Sequence, residues 1–124
     1  DKLQLRGTFD YGIQRRAGAG NVGSGVWRGY ALIARYQLQS RAAVAVRAEG
    51  YADPEQIIVV TGLPYGLRAS GWSFNVDLAP QPRLMWRTEA RVLYGRDPLF
   101  PSSRDASRLA PNDPVVVSSF AVTF

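Results

Sequence analysis

Cysteine and histidine are both absent from this 124-residue chain. Without cysteine there is neither a disulfide frame nor a thiolate metal site. Without histidine the commonest general base and metal ligand is missing, so no cofactor or metal is expected and catalysis is disfavoured. No apolar run approaches the roughly 18 residues that a membrane-crossing helix requires, which leaves any crossing of a bilayer to strands. Lysine is nearly absent as well: Lys2 stands alone beside 14 arginines, and against ten acidic residues they give a formal net charge of +5. Such a balance suits nucleic acid, an acidic membrane surface or plain solubility, and only the placement of the arginines separates these. The length fits one domain or part of one. The chain opens on Asp1 and no signal peptide is visible, as expected of a processed chain or of the tail of a longer one.

Alternation is what the chain has in abundance. Residues 2–14 place Leu3, Leu5, Gly7, Phe9, Tyr11 and Ile13 on one face and Lys2, Gln4, Arg6, Thr8, Asp10, Gly12 and Gln14 on the other, the period of a half-apolar strand. The same period predicts strands near 26–39, 43–53, 68–78, 84–95 and 114–124. Over 43–53 a helix capped by Ser40 and stopped by Gly50 is the alternative. Between these segments lie glycine- or proline-rich connections at 15–25, 54–67 and 96–113 and short turns after Gln39 and Leu78. Gly18, Gly20 and Gly23 match the dinucleotide-binding pattern G-x-G-x-x-G, but that chemistry needs a helix to follow, and a strand pattern follows here.

Six strands joined in the order long, short, long, short, long put all long loops at one end of an antiparallel meander and both short turns at the other. That is the layout of an up-and-down transmembrane β-barrel. The closing segment PVVVSSFAVTF ends on Phe124, and an aromatic ring gains most at a membrane interface. Tyr11, Tyr30, Trp72 and Tyr94 fall near the long-loop ends, whereas Tyr36, Trp86, Phe120 and Phe124 fall near the short-turn ends, giving two expected lipid-facing girdles. The opposite faces carry Arg6, Asp10, Arg35, Arg47, Glu49, Asp77, Arg87, Glu89 and Arg91 as candidate lumen-lining residues. Both signs mix there, unlike the one-sign stripe with interleaved aromatics of a nucleic-acid groove, so no nucleic acid is expected. Arg28 and Arg68 lie on the apolar parity beyond the long-loop aromatics and are candidates to bind lipid phosphates.

The segments LIARYQL (32–38), VRAEGYADP (46–54) and RTEARVLYGRDPLF (87–100), with the terminal Phe, resemble the C-terminal half of the OmpL-like β-barrel porins of Gram-negative outer membranes. The resemblance covers most of the chain and rests on strand patterns. It implies a bacterial outer-membrane location and passive diffusion of small solutes. As partners it implies outer-membrane lipids including lipopolysaccharide, and the barrel-assembly machinery acting on the C-terminal strand. Single-chain bacterial barrels begin at about eight strands, so further strands or other chains are expected to complete the wall. Two other readings stay open: an accessory barrel of an envelope complex without transport, and a soluble lipocalin-like barrel with its apolar face turned inward.

Overall fold

The computed structural model describes residues 2–15, 23–105 and 107–124. Six long strands form one antiparallel sheet: β1 (Leu3–Arg15), β2 (Ser24–Gln39), β3 (Ala42–Asp53), β4 (Leu67–Gln81), β5 (Leu84–Gly95) and β8 (Asn112–Val122). Between β5 and β8 a hairpin of two-residue strands, β6 (Phe100–Pro101) and β7 (Leu109–Ala110), is inserted in the third long loop. The sheet order is β1-β2-β3-β4-β5-β8, each strand pairing with its neighbour in the chain's own sequence of long strands. The fold is thus an all-β up-and-down sheet, and it is not closed: β1 and β8 do not pair with each other.

The segment for which a helix was the alternative is strand β3. β4 runs past Leu78 to Gln81, because the register shifts between Leu78 and Gln81 and Pro80 sits at that irregularity, where no ladder donor is required of it. At the other end β8 begins two residues before Pro114, and Phe124 lies beyond the strand, fully exposed. Gly18 and Gly20 of the glycine pattern lie outside the described residues; Gly23 is followed directly by β2 rather than by a helix.

Inside the sheet, away from the open edge strands β1 and β8, exposure follows strand parity in a sense opposite to that of a soluble protein. On β4, Asp77 and Ser73 are 8% exposed, whereas Trp72 is 61% and Phe74 47% exposed. Among the described residues Ala43 is the only buried member of an apolar core. Soluble proteins rarely leave so large a contiguous apolar face uncovered. The polar face is the crowded one because the sheet curls around it: Arg35 on β2 reaches Asp77 on β4 at 3.9 Å, across the intervening β3. Two strand spacings separate those backbones by about 9.6 Å, so only side chains converging on a concave side can meet. The lipocalin-like arrangement needs the reverse curvature and is not the one adopted.

The convex face has the dimensions of a bilayer band. Register aligns Phe9, Tyr30, Gly50, Ser70 and Tyr94 in one row near the long loops and Leu78, Trp86 and Phe120 in another near the short turns. Trp86 stacks on Phe120 at 5.7 Å and donates its indole N–H to Ser118 at 2.7 Å. Eight residues separate Tyr94 from Trp86 on β5, about 27 Å along a strand and about 20 Å along the axis of a barrel whose strands tilt 35–45°. With ring lengths added this matches an apolar band of about 25 Å. Tyr11 stands one pair above the upper row and Trp72 one pair below it, opposite Ala48, so that girdle is staggered.

Phe74 stands halfway between the two rows. Phe74→Arg is expected to lower barrel stability by about 2–4 kcal/mol, the cost of a cation facing mid-bilayer lipid, while Asn75→Arg on the concave face costs less than about 1 kcal/mol. Reversible urea unfolding in phospholipid vesicles measures both, and equal losses would mean that the two faces share one environment.

Candidate functional site

The concave face is built in rows, because antiparallel register brings like-facing residues side by side. One row reads Arg6, Ile33, Arg47, Ser73, Arg91 and Val115 across the six strands. Three arginines thus sit on alternate strands, β1, β3 and β5. One row nearer the long loops come Thr8, Ala31, Glu49, Gly71, Leu93 and Asp113. Two rows on the short-turn side of the arginines, Ala43, Asp77 and Arg87 are aligned.

Glu49 links the first two rows. One carboxylate oxygen accepts from Arg47 at 2.6 Å, and the other pairs with Arg91 on β5. To reach Arg91 the Glu49 side chain crosses over β4, and it does so at Gly71. A Cβ there would stand 2.9 Å from the Glu49 Oε1 and 2.8 Å from the Leu93 Cδ2, so glycine is the residue that leaves the passage open. A second clamp binds Asp77, which accepts from Arg87 Nε at 2.7 Å and Nη2 at 2.8 Å, the bidentate geometry that fixes a guanidinium most firmly. Arg35 approaches the same carboxylate from the far side and donates to Gln37 at 2.8 Å.

All nine candidate lumen residues lie on this face, although they are not one cluster. Arg47, Glu49 and Arg91 form one ion-paired group and Arg35, Asp77 and Arg87 another. Arg6, Asp10 and Glu89 share the face without an ion pair to a described residue. Arg47 and Arg91 each keep a buried Nε without a hydrogen-bond partner among the described residues. Beside them is a recess of about 300 Å³ bounded by Asp10, Arg47, Glu49, Tyr51, Arg91 and Leu93.

Two contacts of this face are not given by the period of two. Trp27 and Tyr51 occupy the polar parity and stack at 6.3 Å near the long loops, an aromatic pair turned inward. Asp53 shares that parity but does not join the wall lattice. It is wholly buried, and its carboxylate accepts the backbone N–H groups of Ile57, Ile58 and Val59 at 2.7–2.9 Å. The loop so pinned folds back over the concave face: Glu55 accepts from Val26 N at 2.9 Å, and Ile57 occupies the space that a side chain at Gly25 would take. Gln56 ties the rest, accepting from the Thr61 and Gly62 amides and donating to the Leu63 carbonyl. The signal for this turn is Asp53-Pro54, an aspartate with a habit of binding backbone amides a few residues on. Asp53 lies three residues beyond the Gly50 row and outside the apolar band. Burial by itself raises its carboxyl, but the amides of Val59, Ile57 and Ile58 outweigh burial and hold it below the ordinary carboxylate value.

On the convex side, Arg28 and Arg68 both pair with Ala52, one from each flanking strand, one row beyond the Tyr30–Tyr94 row. The girdle candidates Tyr11, Tyr30, Tyr36, Trp72, Trp86, Tyr94, Phe120 and Phe124 are all exposed.

Comparison with known proteins agrees with this architecture. The family model described as "Putative beta-barrel porin-2, OmpL-like" matches residues 1–124. No curated protein and no solved structure matches the chain.

Two expectations follow from the geometry. Glu49→Gln and Arg91→Gln are expected to couple by about 0.5–3 kcal/mol in a double-mutant cycle, and the coupling should vanish in a Gly71→Ala background, where the crossing is blocked; an unchanged coupling would show that the glycine is incidental. For the loop, a carboxyl depressed on folding contributes its stability above the unfolded value of about 3.9 and loses it as pH falls through the lower folded value. Amide protection of Ile57–Val59 should therefore persist at pH 5 and fail only in stronger acid, whereas Asp53→Ala should lose about tenfold or more at neutral pH, since each orphaned amide costs about 1–3 kcal/mol. Protection that already collapses between pH 6 and pH 5 would exclude Asp53 as the pin.

Proposed function

The chain belongs to the OmpL-like β-barrel porin family, and we propose that its concave face lines a water-filled passage through the bacterial outer membrane for passive diffusion of small solutes. The observation that carries this reading is the inverted arrangement of the sheet, with ion-paired arginines and carboxylates on the curled inner side and aromatic and aliphatic residues outside. A charged wall of this kind does not fill its own interior as an apolar core would, and it favours water beside it. Fixed guanidinium and carboxylate groups then orient passing dipoles and sort ions by sign.

The placement of the charges gives the passage a direction of preference. On the six strands Arg6, Arg35, Arg47, Arg87 and Arg91 face Asp10, Glu49, Asp77, Glu89 and Asp113, so the two signs are even and only their placement can bias the passage. Asp77 is closed by its bidentate clamp, and both oxygens of Glu49 are occupied. The Arg6–Arg47–Arg91 row sets three cations at one level of the wall with no carboxylate in the row itself, and we read this wall as weakly anion-selective there. Ion-paired in this way, Glu49 and Asp77 have little freedom for acid–base chemistry, consistent with a non-catalytic role. Assembly is read as passing through β8, an edge strand whose outer face is apolar, offered to the barrel-assembly machinery.

A second reading is favoured by one observation: the loop pinned at Asp53 turns toward the concave face at the long-loop end, with Ile57 against Gly25. A barrel closed there serves an envelope complex as a scaffold without transport. Planar-bilayer recording separates the two. Steady ohmic steps with a reversal potential on the anion side are expected of the full-length protein in a KCl gradient. Replacing Arg6, Arg47 and Arg91 together by Gln should move that potential toward the cation side. Electrical silence from correctly folded protein would favour the scaffold, and an unmoved potential would remove the arginine row from the selectivity surface.

A further inference from the structure

On the convex face, beyond the aromatic row, a third arginine joins the two noted above. Arg96 follows the end of β5, and its backbone N–H donates to the Arg68 carbonyl at 2.9 Å, which continues the ladder one step past Gly95. Arg28, Ala52, Arg68 and Arg96 therefore share one row, spread over β2, β3, β4 and the extension of β5. Arg28 and Arg68 stand two strand spacings apart and Arg96 one further, a span of about 14 Å. Between them lies a hollow of about 330 Å³, floored by Ala52 and Ser70 and closed below by Tyr94. The Arg96 guanidinium is held over the Tyr65 ring at 4.4 Å, so the second long loop fixes the third cation in place.

Nothing on the chain's described part neutralises these charges. The ion pairs among the described residues all lie on the concave face. A row of guanidinium groups just past the girdle stands at headgroup depth, because each residue advances about 3.4 Å along a strand and the girdle marks the interface. Below it, on the same face, Leu5, Gly7, Leu32, Ala48 and Trp72 line an apolar groove of about 430 Å³, where Gly7 and Ala48 leave room beside the Trp72 ring. Headgroup cradle and groove occupy successive levels of one lipid-facing surface.

We propose that Arg28, Arg68 and Arg96 form a binding site for a phosphorylated lipid headgroup, the arginines engaging phosphate oxygens while an acyl chain lies in the groove beneath. Guanidinium binds phosphate bidentately and keeps its charge at any physiological pH. Three such groups spread over about 14 Å favour a headgroup with two phosphates over one with a single phosphate. The site rests on the outer-membrane reading, in which the long loops face outward and the outer leaflet carries phosphorylated glycolipid.

The test is native mass spectrometry of the full-length protein refolded in micelles and titrated with bisphosphorylated lipid A, with its monophosphoryl and dephosphorylated forms, and with inorganic phosphate. The wild-type protein is expected to retain one bisphosphorylated lipid A and to bind the dephosphorylated form at least about tenfold more weakly. Arg28→Gln/Arg68→Gln/Arg96→Gln should lose about tenfold or more in affinity, with barrel formation verified by heat-modifiable gel mobility. Should the triple variant not fold, Arg68→Gln alone should weaken binding about threefold or more. Equal affinity for phosphorylated and dephosphorylated lipid, or unchanged affinity in the variants, overturns the site, and displacement of the lipid by millimolar inorganic phosphate shows a free-anion site instead. Conductance is recorded on the same preparations: a silent barrel that still retains lipid A contradicts the pore alone, and a conducting barrel that retains none contradicts the site alone.

Discussion

A lipid bilayer gives a peptide group nothing to hydrogen-bond to, and each backbone N–H or C=O left unpaired in it costs several kcal/mol. The long pairing of β1, β2, β3, β4, β5 and β8 answers that constraint, with each neighbouring pair held over eleven or more registered positions. Once the backbone is committed to such a ladder, side chains have only two directions to take. One direction meets hydrocarbon and the other meets water, so the burial pattern of a soluble protein is reversed. That is why, on β4, Asp77 is among the least exposed residues while Trp72 is among the most exposed. The same constraint requires that β1 and β8, which do not pair with each other, find partners in the complete wall.

The charged lattice is what curvature makes of the inner parity. Strands that curl bring side chains two strands apart within reach, and arginine is long enough to exploit this. Glu49 meets Arg91 over Gly71, and Asp77 is approached by Arg35 and Arg87 from opposite sides. Such pairs at a wetted wall contribute little stability each, but together they fix where charge stands. Position, more than binding energy, is what a passage needs to sort solutes.

The six long strands were legible in the sequence because period two is a strong signal when one face meets lipid: residues 2–14 read as a strand directly. The face to which each charge belonged was legible for the same reason. Parity cannot say which side is concave; that follows from pairing across a whole sheet, as in the reach of Arg35 to Asp77. The Asp53 pin was hidden because its partners are backbone amides, which leave no residue-type trace at 57–59. Arg96 was hidden in a proline-rich stretch without periodicity, and only its ladder bond to Arg68 places it in the outer row. Parity puts Trp27 and Tyr51 on the inner face, but only the pairing of β2 with β3 brings the two rings together.

The absence of cysteine makes the central claim directly measurable, because each introduced thiol is the only one in the chain. Single cysteines placed one at a time from Gly71 to Leu78 on β4, in protein reconstituted into bilayers, can be titrated with a membrane-impermeant thiol reagent. Labelling at 71, 73, 75 and 77 with protection at 72, 74, 76 and 78 is the predicted pattern. Labelling of the even positions with protection of the odd ones would mean that the charged face is turned away from water, and would contradict the account.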